Sequence, residues 1–243
     1  MKKLSDLRPE FDGLVSCHGE TIIYGLADLS PVLPPALGKT PRAVSFAVRM
    51  EDELMDSIKE GPHSRYLAEY TRVNAMINAL AEKMTELFRL EGCAARYIHS
   101  SQRVDEVNIA GEFPHKTAAV FAGLGWIGRN CQLVTRAFGP RVRLGTVLTD
   151  MELGEDAPDH MRFRCGSCRR CADACPAGAL TGGEWAEGVE RSVLLDAKRC
   201  DEWKKEHYAA FGGNVCGICT SACPQGSARR KERKSRAELP PRK

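Results

Sequence analysis

The sequence predicts an α+β domain followed by a smaller domain whose order comes from bound metal. Three observations predict it: apolar residues alternate over positions 43–50, an apolar stripe recurs at steps of three and four from Tyr66 to Leu87, and eight of eleven cysteines lie between residues 160 and 226. The 243 residues are 43% apolar and 28% charged, which is ordinary for a globular chain with a sizeable core. Disordered, collagen-like and low-complexity classes are therefore excluded.

Along the first part, Ile22, Ile23 and Tyr24 can begin a strand. Val44, Phe46, Val48 and Met50 alternate with Ala43, Ser45, Ala47 and Arg49, the period-two pattern of a strand with one face on a core. Tyr66, Tyr70, Val73, Ile77, Leu80, Met84 and Leu87 then line one face of a long helix, which Gly92 is placed to end. Ala95 to His99 reads as a short strand. Cys131–Thr135 and Val142–Thr149 are β-rich and separated by Gly139-Pro140, so they are expected to form a hairpin. The acidic, proline-containing stretch 152–159 reads as a linker. The expected organisation is an α+β domain over 1–152, a cysteine-rich domain over 160–226 and a basic tail over 227–243.

Charge and cysteine usage bound the setting. From Arg229 to Lys243 there are eight Lys/Arg and two Glu, so this tail carries +6 and the other 228 residues −3 of the overall +3. A disordered solvated terminus accounts for it, and the alternative is steering of a nucleic acid or an acidic redox partner. An odd count of eleven cysteines in a chain this long points to metal in a reducing compartment rather than to disulfide staples. The start lacks an apolar leader core, and the longest nearly uncharged stretch, Thr117–Gly128, is glycine-broken and too short to span a bilayer. A cytoplasmic protein with no membrane partner is expected.

Cys165, Cys168, Cys171 and Cys175 follow the spacing C-x2-C-x2-C-x3-C with Pro176 next, the run used by bacterial ferredoxins. Three thiolates two residues apart wrap three corners of one cubane, and the fourth, after a wider gap, is aimed at another. Cys216, Cys219 and Cys223 repeat the end of the pattern before Pro224, and Cys200 stands alone. Crossing the fourth ligands gives Cys165, Cys168, Cys171 and Cys223 for one 4Fe-4S cluster, and Cys175, Cys200, Cys216 and Cys219 for the other. A pair of structural zinc sites is the alternative, although zinc modules usually present two separated C-x2-C knuckles. Cys17, Cys93 and Cys131 are left over, and buried apolar cysteine is the expectation for them.

Gly123-Leu124-Gly125-Trp126-Ile127-Gly128 satisfies the dinucleotide-binding pattern G-x-G-x-x-G, with Asp150 22 residues beyond. That fingerprint needs a strand before the glycines and a helix after them. Here an alanine-rich helical segment precedes and β-rich residues follow. The expectation is a tight helix-to-strand turn, with backbone able to approach a flat ligand closely.

The segment from Lys116 through Gly123-Leu-Gly-Trp-Ile-Gly-Arg-Asn130, then Leu144–Asp150, Cys165–Pro176 and Cys216–Pro224, resembles the epoxyqueuosine reductase family of cobalamin and iron-sulfur enzymes, itself related to reductive dehalogenases. The resemblance implies a nitroreductase-like α+β domain holding base-off cobalamin and a ferredoxin-like domain with two 4Fe-4S clusters, fed by an external low-potential electron donor. It also implies that Gly123, Gly125, Trp126 and Gly128 line the cofactor pocket. Flavin in the first domain is the less favoured alternative.

This sequence departs from the family in three ways. An ungapped match puts Ile109 where the family has a catalytic aspartate, so Asp105 would serve only with an insertion, and Glu112 and His115 are the other candidate proton donors. The sequence ends soon after the second cysteine set, so the helical-repeat domain used toward tRNA is not in it and tRNA is not the expected substrate. No twin-arginine leader is seen, which argues against an exported dehalogenase. Two functions are compatible with these residues: a cobalamin-dependent iron-sulfur reductase, or an electron-transfer or reductive-activator protein serving a partner protein.

Overall fold

The computed structural model describes residues 2–18 and 21–227. The expected basic tail lies, beyond Ser227, outside the described residues. The chain forms two compact units, one from residues 1–49, 70–126 and 143–162, the other from 50–69, 127–142 and 163 onward.

The first unit is built on a four-stranded sheet in the order β1-β2-β6-β3, with β1 at Ile22–Asp28, β2 at Arg42–Arg49, β3 at Ala95–Ile98 and β6 at Val142–Thr149. β1 and β2 are antiparallel, pairing Tyr24 with Phe46 and Gly25 with Ser45. β3 runs antiparallel to β6 through Ala95–Thr149 and Ile98–Thr146. The alternation at 43–50 thus predicted a real strand, but Ala43 to Val48 are buried throughout, so both faces of β2 are covered.

Helix α1 (Arg8–Ser16) sets Phe11 edge-on to Tyr24 at 5.8 Å and against Phe88 at 5.9 Å. Phe88 belongs to α3 (Ser64–Leu90), where Val73, Ile77, Leu80, Met84 and Phe88 are buried on one stripe. Gly92 ends that helix as expected. At φ +78° it donates to the Arg89 carbonyl while Cys93 reaches back to Phe88, a Schellman closure that favours glycine. The same closure ends α4 (His115–Phe121): Gly123 at φ +69° donates to Val120 and Leu124 donates to Ala119. Gly25 lets α4 press on β1, since a Cβ there would lie 2.3 Å from the Ala122 oxygen.

The expected hairpin is not formed. β5 (Leu133–Thr135) pairs with β4 (Gly125–Ile127), while β6 is flanked by β2 and β3. The physical reason is local. Thr135 and Gly139 exchange backbone hydrogen bonds and the Thr135 hydroxyl also accepts from Phe138, so the Gly139-Pro140 turn closes a five-residue loop on β5 alone.

In the second unit, α2 (Asp52–Ser57), α5 (Arg170–Asp173), α6 (Ala197–His207) and α7 (Ile218–Ser221) are joined largely by turns. The Asp196 carboxylate accepts from the Arg199 amide and caps α6. Arg141 is fully buried: its Nη1 donates to the Asp52 carbonyl at 2.9 Å and its Nη2 to Asp56 Oδ1 at 2.6 Å. Gly226 lies on the Arg141 side chain, where a Cβ would sit 2.5 Å from Nε. The segment after Cys223 is thereby packed onto a buried ion pair rather than onto an apolar core.

Candidate metal centre

Two short segments present most of the thiols. Cys171 sits in α5 and Cys219 in α7, at equivalent places in the repeated C-x2-C-x3-C-P pattern, and the two helices lie beside each other. Gly217, at φ +91° between Cys216 and α7, faces Ile58 and Tyr66 so closely that a Cβ would be 2.5 Å from Ile58 Cδ1. Cys200 is supplied by α6, which explains its isolation in sequence: it arrives on a separate helix.

The thiols interact in two groups. Burial pushes the Cys171 thiol up, and charge on Cys165 and Cys168 pushes it further. Cys223, pushed up to about 11 by burial, also feels Cys165 and Cys171. In the other group burial raises Cys200, which feels Cys175, and raises Cys216, which feels Cys200 and Cys175. Cys219, raised most by burial, feels Cys216, Cys200 and Cys175, and also Cys171 across the groups. Because such interactions fade with separation, each of these thiols has others of the cysteine runs close to it. Burial without a positive charge disfavours thiolate; iron supplies that charge and takes the thiolate form as ligand. Among the described residues no three His, Cys, Asp or Glu side chains converge closely enough to hold a single ion. A cubane distributes its ligands over four irons, so this spacing is compatible with it.

The remaining candidate residues are dispersed. Gly128 is buried in the second unit, where its backbone lies against the first thiol of the run, a Cβ there standing 3.5 Å from Cys165 Sγ. Gly123, Gly125 and Trp126 belong to the first unit. There the order is helix, turn, strand, the reverse of the dinucleotide fingerprint. Trp126 is 3% exposed and its indole Nε1 is buried without a hydrogen-bond partner, as is the Ser45 hydroxyl.

Asp105 lies in an exposed turn closed by two backbone hydrogen bonds with Ala110. Its carboxylate accepts from the Asn108 and Val107 amides, and these bonds hold it below the usual carboxylate range. Ile109, in the same turn, adopts φ +55°, a strained conformation for a β-branched residue. Glu112 is ion-paired with Arg96. His115 opens α4, with Nε2 donating to the His99 carbonyl at 3.3 Å and Nδ1 accepting from the Thr146 hydroxyl at 2.9 Å. Burial, with Arg143 adding to it, lowers its pKa to about 4, so it is neutral near pH 7.

Of the leftover cysteines, Cys131 is buried and Cys93 half-buried, but Cys17 is exposed, correcting the expectation for it. It follows the last turn of α1, where its thiol donates to the Leu14 carbonyl. Sequence reasoning missed Arg129 and Arg141. Nothing in the local sequence distinguishes them, since Arg129 is followed by Asn130 and Gln132 and Arg141 stands between Arg136 and Arg143.

Residues 164–226 match the family described as a 4Fe-4S double cluster binding domain. The chain is 39% identical over 219 residues to a tetrachloroethene reductive dehalogenase of Desulfitobacterium hafniense, an alignment covering 84% of this chain and 37% of that one. It is 32% identical over 126 residues to an epoxyqueuosine reductase of Bacillus anthracis, covering 47% of this chain and 30% of the relative. The chain therefore spans about a third of the length of these relatives. Among solved structures, a catabolic reductive dehalogenase shares the fold with a TM-score of 0.71 at 21% identity, over 93% of this chain and 33% of that one. No helix among the described residues is long and apolar enough to cross a membrane. By these relatives and by its double-cluster domain, the chain is similar to the iron-sulfur epoxyqueuosine reductases and reductive dehalogenases.

Proposed function

We propose that the chain is a reductase in which Cys165, Cys168, Cys171 and Cys223 hold one 4Fe-4S cluster, Cys175, Cys200, Cys216 and Cys219 hold the second, and the sheet-bearing unit binds cobalamin. The observation that carries it is the match of residues 164–226, which contain all eight of these cysteines, to a 4Fe-4S double cluster binding domain. When bound, the clusters supply one-electron transfer at low potential and the corrinoid supplies a strongly reducing metal for the substrate.

The protein's own residues bind and exclude water. Cys175, Cys200, Cys216 and Cys219 are all partly enclosed, and that enclosure lowers the local dielectric around any charge held there. In the sheet unit the buried, unpartnered Trp126 Nε1 and Ser45 hydroxyl are free to bond the peripheral amides of a corrinoid, which supports the fit. The proton for the reductive step is assigned to solvent, because the carboxyls of Asp105 and Glu112 are held by the turn and by Arg96 and both ring nitrogens of the neutral His115 are hydrogen-bonded.

One observation favours the second reading, an electron-transfer or activator protein for a partner: the strained Ile109 occupies the position where the family resemblance puts an acid. Anaerobic purification with iron and cobalt analysis, followed by EPR before and after adding cobalamin, separates the two. The reductase reading expects about eight irons per chain, a base-off cobalt signal and turnover of a reducible substrate. Eight irons with neither cobalt signal nor turnover would leave the electron carrier. Zinc in place of iron would overturn both.

A further inference from the structure

We infer that Arg129 is a positioning residue for the first cysteine loop and that it sets the reduction potential of the cluster bound there. The inference rests on the ligand assignment proposed above.

Arg129 follows Gly128, whose backbone lies against Cys165 Sγ. Its side chain is only 13% exposed, and its donors converge on the cluster loop. Nη2 donates to the Gly166 carbonyl at 2.7 Å and Nε to the same oxygen at 3.2 Å. Nη1 donates to the Gly182 carbonyl, Nη2 also reaches Glu184, and the guanidinium lies 5.3 Å from the Phe163 ring centroid. A planar fork holding one carbonyl through two nitrogens is a geometry that lysine cannot reproduce.

The consequence follows from peptide planarity. Gly166 lies between Cys165 and Cys168 in a left-handed conformation, φ +52°. In a trans peptide the carbonyl and the next N–H point to opposite edges. With the Gly166 oxygen turned to Arg129, the Ser167 N–H is turned the other way, and it donates to no backbone carbonyl among the described residues. That edge is free to donate to cluster sulfur, and such hydrogen bonds, like a nearby positive charge, raise a cluster's potential. Glu184, on the solvent side of the pair, offsets part of the Arg129 charge.

Redox titration followed by EPR on the reconstituted full chain tests this, with iron content measured on every sample. Arg129→Gln is expected to lower the potential of one cluster by about tenfold in its one-electron equilibrium, ~59 mV, leaving the other unchanged. Arg129→Lys, which keeps the charge but loses the fork, should recover part of that shift. Glu184→Gln, which leaves the fork in place, should move the same cluster in the opposite direction. Unchanged potentials at full iron content in all three variants would overturn the inference. So would equal shifts of both clusters, or a lysine variant no better than glutamine. Wild-type protein without iron would instead defeat the underlying cluster assignment.

Discussion

In the sheet-bearing unit the largest fully buried side chains are Phe11, Phe46 and Phe88, packed with Val73, Ile77 and Met84 of the long helix. In the cysteine-bearing unit the largest is Arg141, held between Asp52 and Asp56, and from residue 163 onward the buried large apolar side chains are few: Leu180, Leu194, Val215 and Ile218. Apolar burial at about 25 cal/mol per Å² can order the first unit by itself. The second unit has its apolar burial in Met50, Leu54, Met55, Ile58, Leu133, Val134 and Phe138, while its segment from residue 163 onward gains too little to offset chain entropy across so many turns and is expected to depend on thiolate bonds to metal. The sheet unit and the segment from residue 163 onward are thus held by different forces, and perturbations should separate them.

The largest expected effect is iron removal. Chelation under reducing conditions should abolish amide protection over residues 163–226 in hydrogen exchange, while β1, β2 and the central turns of α3 stay protected; simultaneous loss in both units would break the comparison. Next is Phe46→Ala. Phe46 fills the space beside Gly145, where a Cβ would lie 2.2 Å from the ring, so the truncation leaves a cavity in the sheet core. A loss of about 3–5 kcal/mol in chemical unfolding of the sheet unit is expected, with iron per folded chain unchanged.

His115 gives a smaller, pH-dependent effect. Its pKa falls from about 6.5 unfolded to about 4 folded, so the folded state disfavours the proton. Its contribution is complete above pH 6.5 and is lost as pH falls toward 4. Because the ring is partly accessible, the stability lost is of order 2 kcal/mol. Replacing His115 by Gln should flatten the unfolding free energy over that interval; an unchanged slope would contradict the assigned environment. The smallest effect belongs to the exposed Arg65–Glu51 pair at 2.9 Å, where Arg65→Ala should cost under about 1 kcal/mol in thermal unfolding.

The same division explains what was legible in the sequence. Periodicity read β2 and α3, and short β-rich runs read β1, β3 and β6, because the residues an element buries mark its sequence even where, as in β2, both faces are covered. The C-x2-C-x2-C-x3-C-P run read the double-cluster domain because ligand geometry constrains spacing even where no core exists. Cys200 was harder to place, since a ligand arriving on its own helix has no local pattern. The β5–β6 hairpin was misread because Gly139-Pro140 signals a turn without saying which strands it joins; Thr135 closes that turn on itself. Arg129 and Arg141 were invisible as site residues because their roles lie in carbonyls and carboxylates distant in sequence.

The central claim is that the fourth cysteine of each run serves the opposite cluster, and EPR of the reduced, iron-loaded protein tests it most directly through Cys165→Ser, Cys175→Ser and Cys223→Ser. The crossed arrangement predicts that Cys223→Ser perturbs the same signal as Cys165→Ser and that Cys175→Ser perturbs the other. If Cys175→Ser and Cys165→Ser perturb one signal together and Cys223→Ser the other, the arrangement proposed here is wrong.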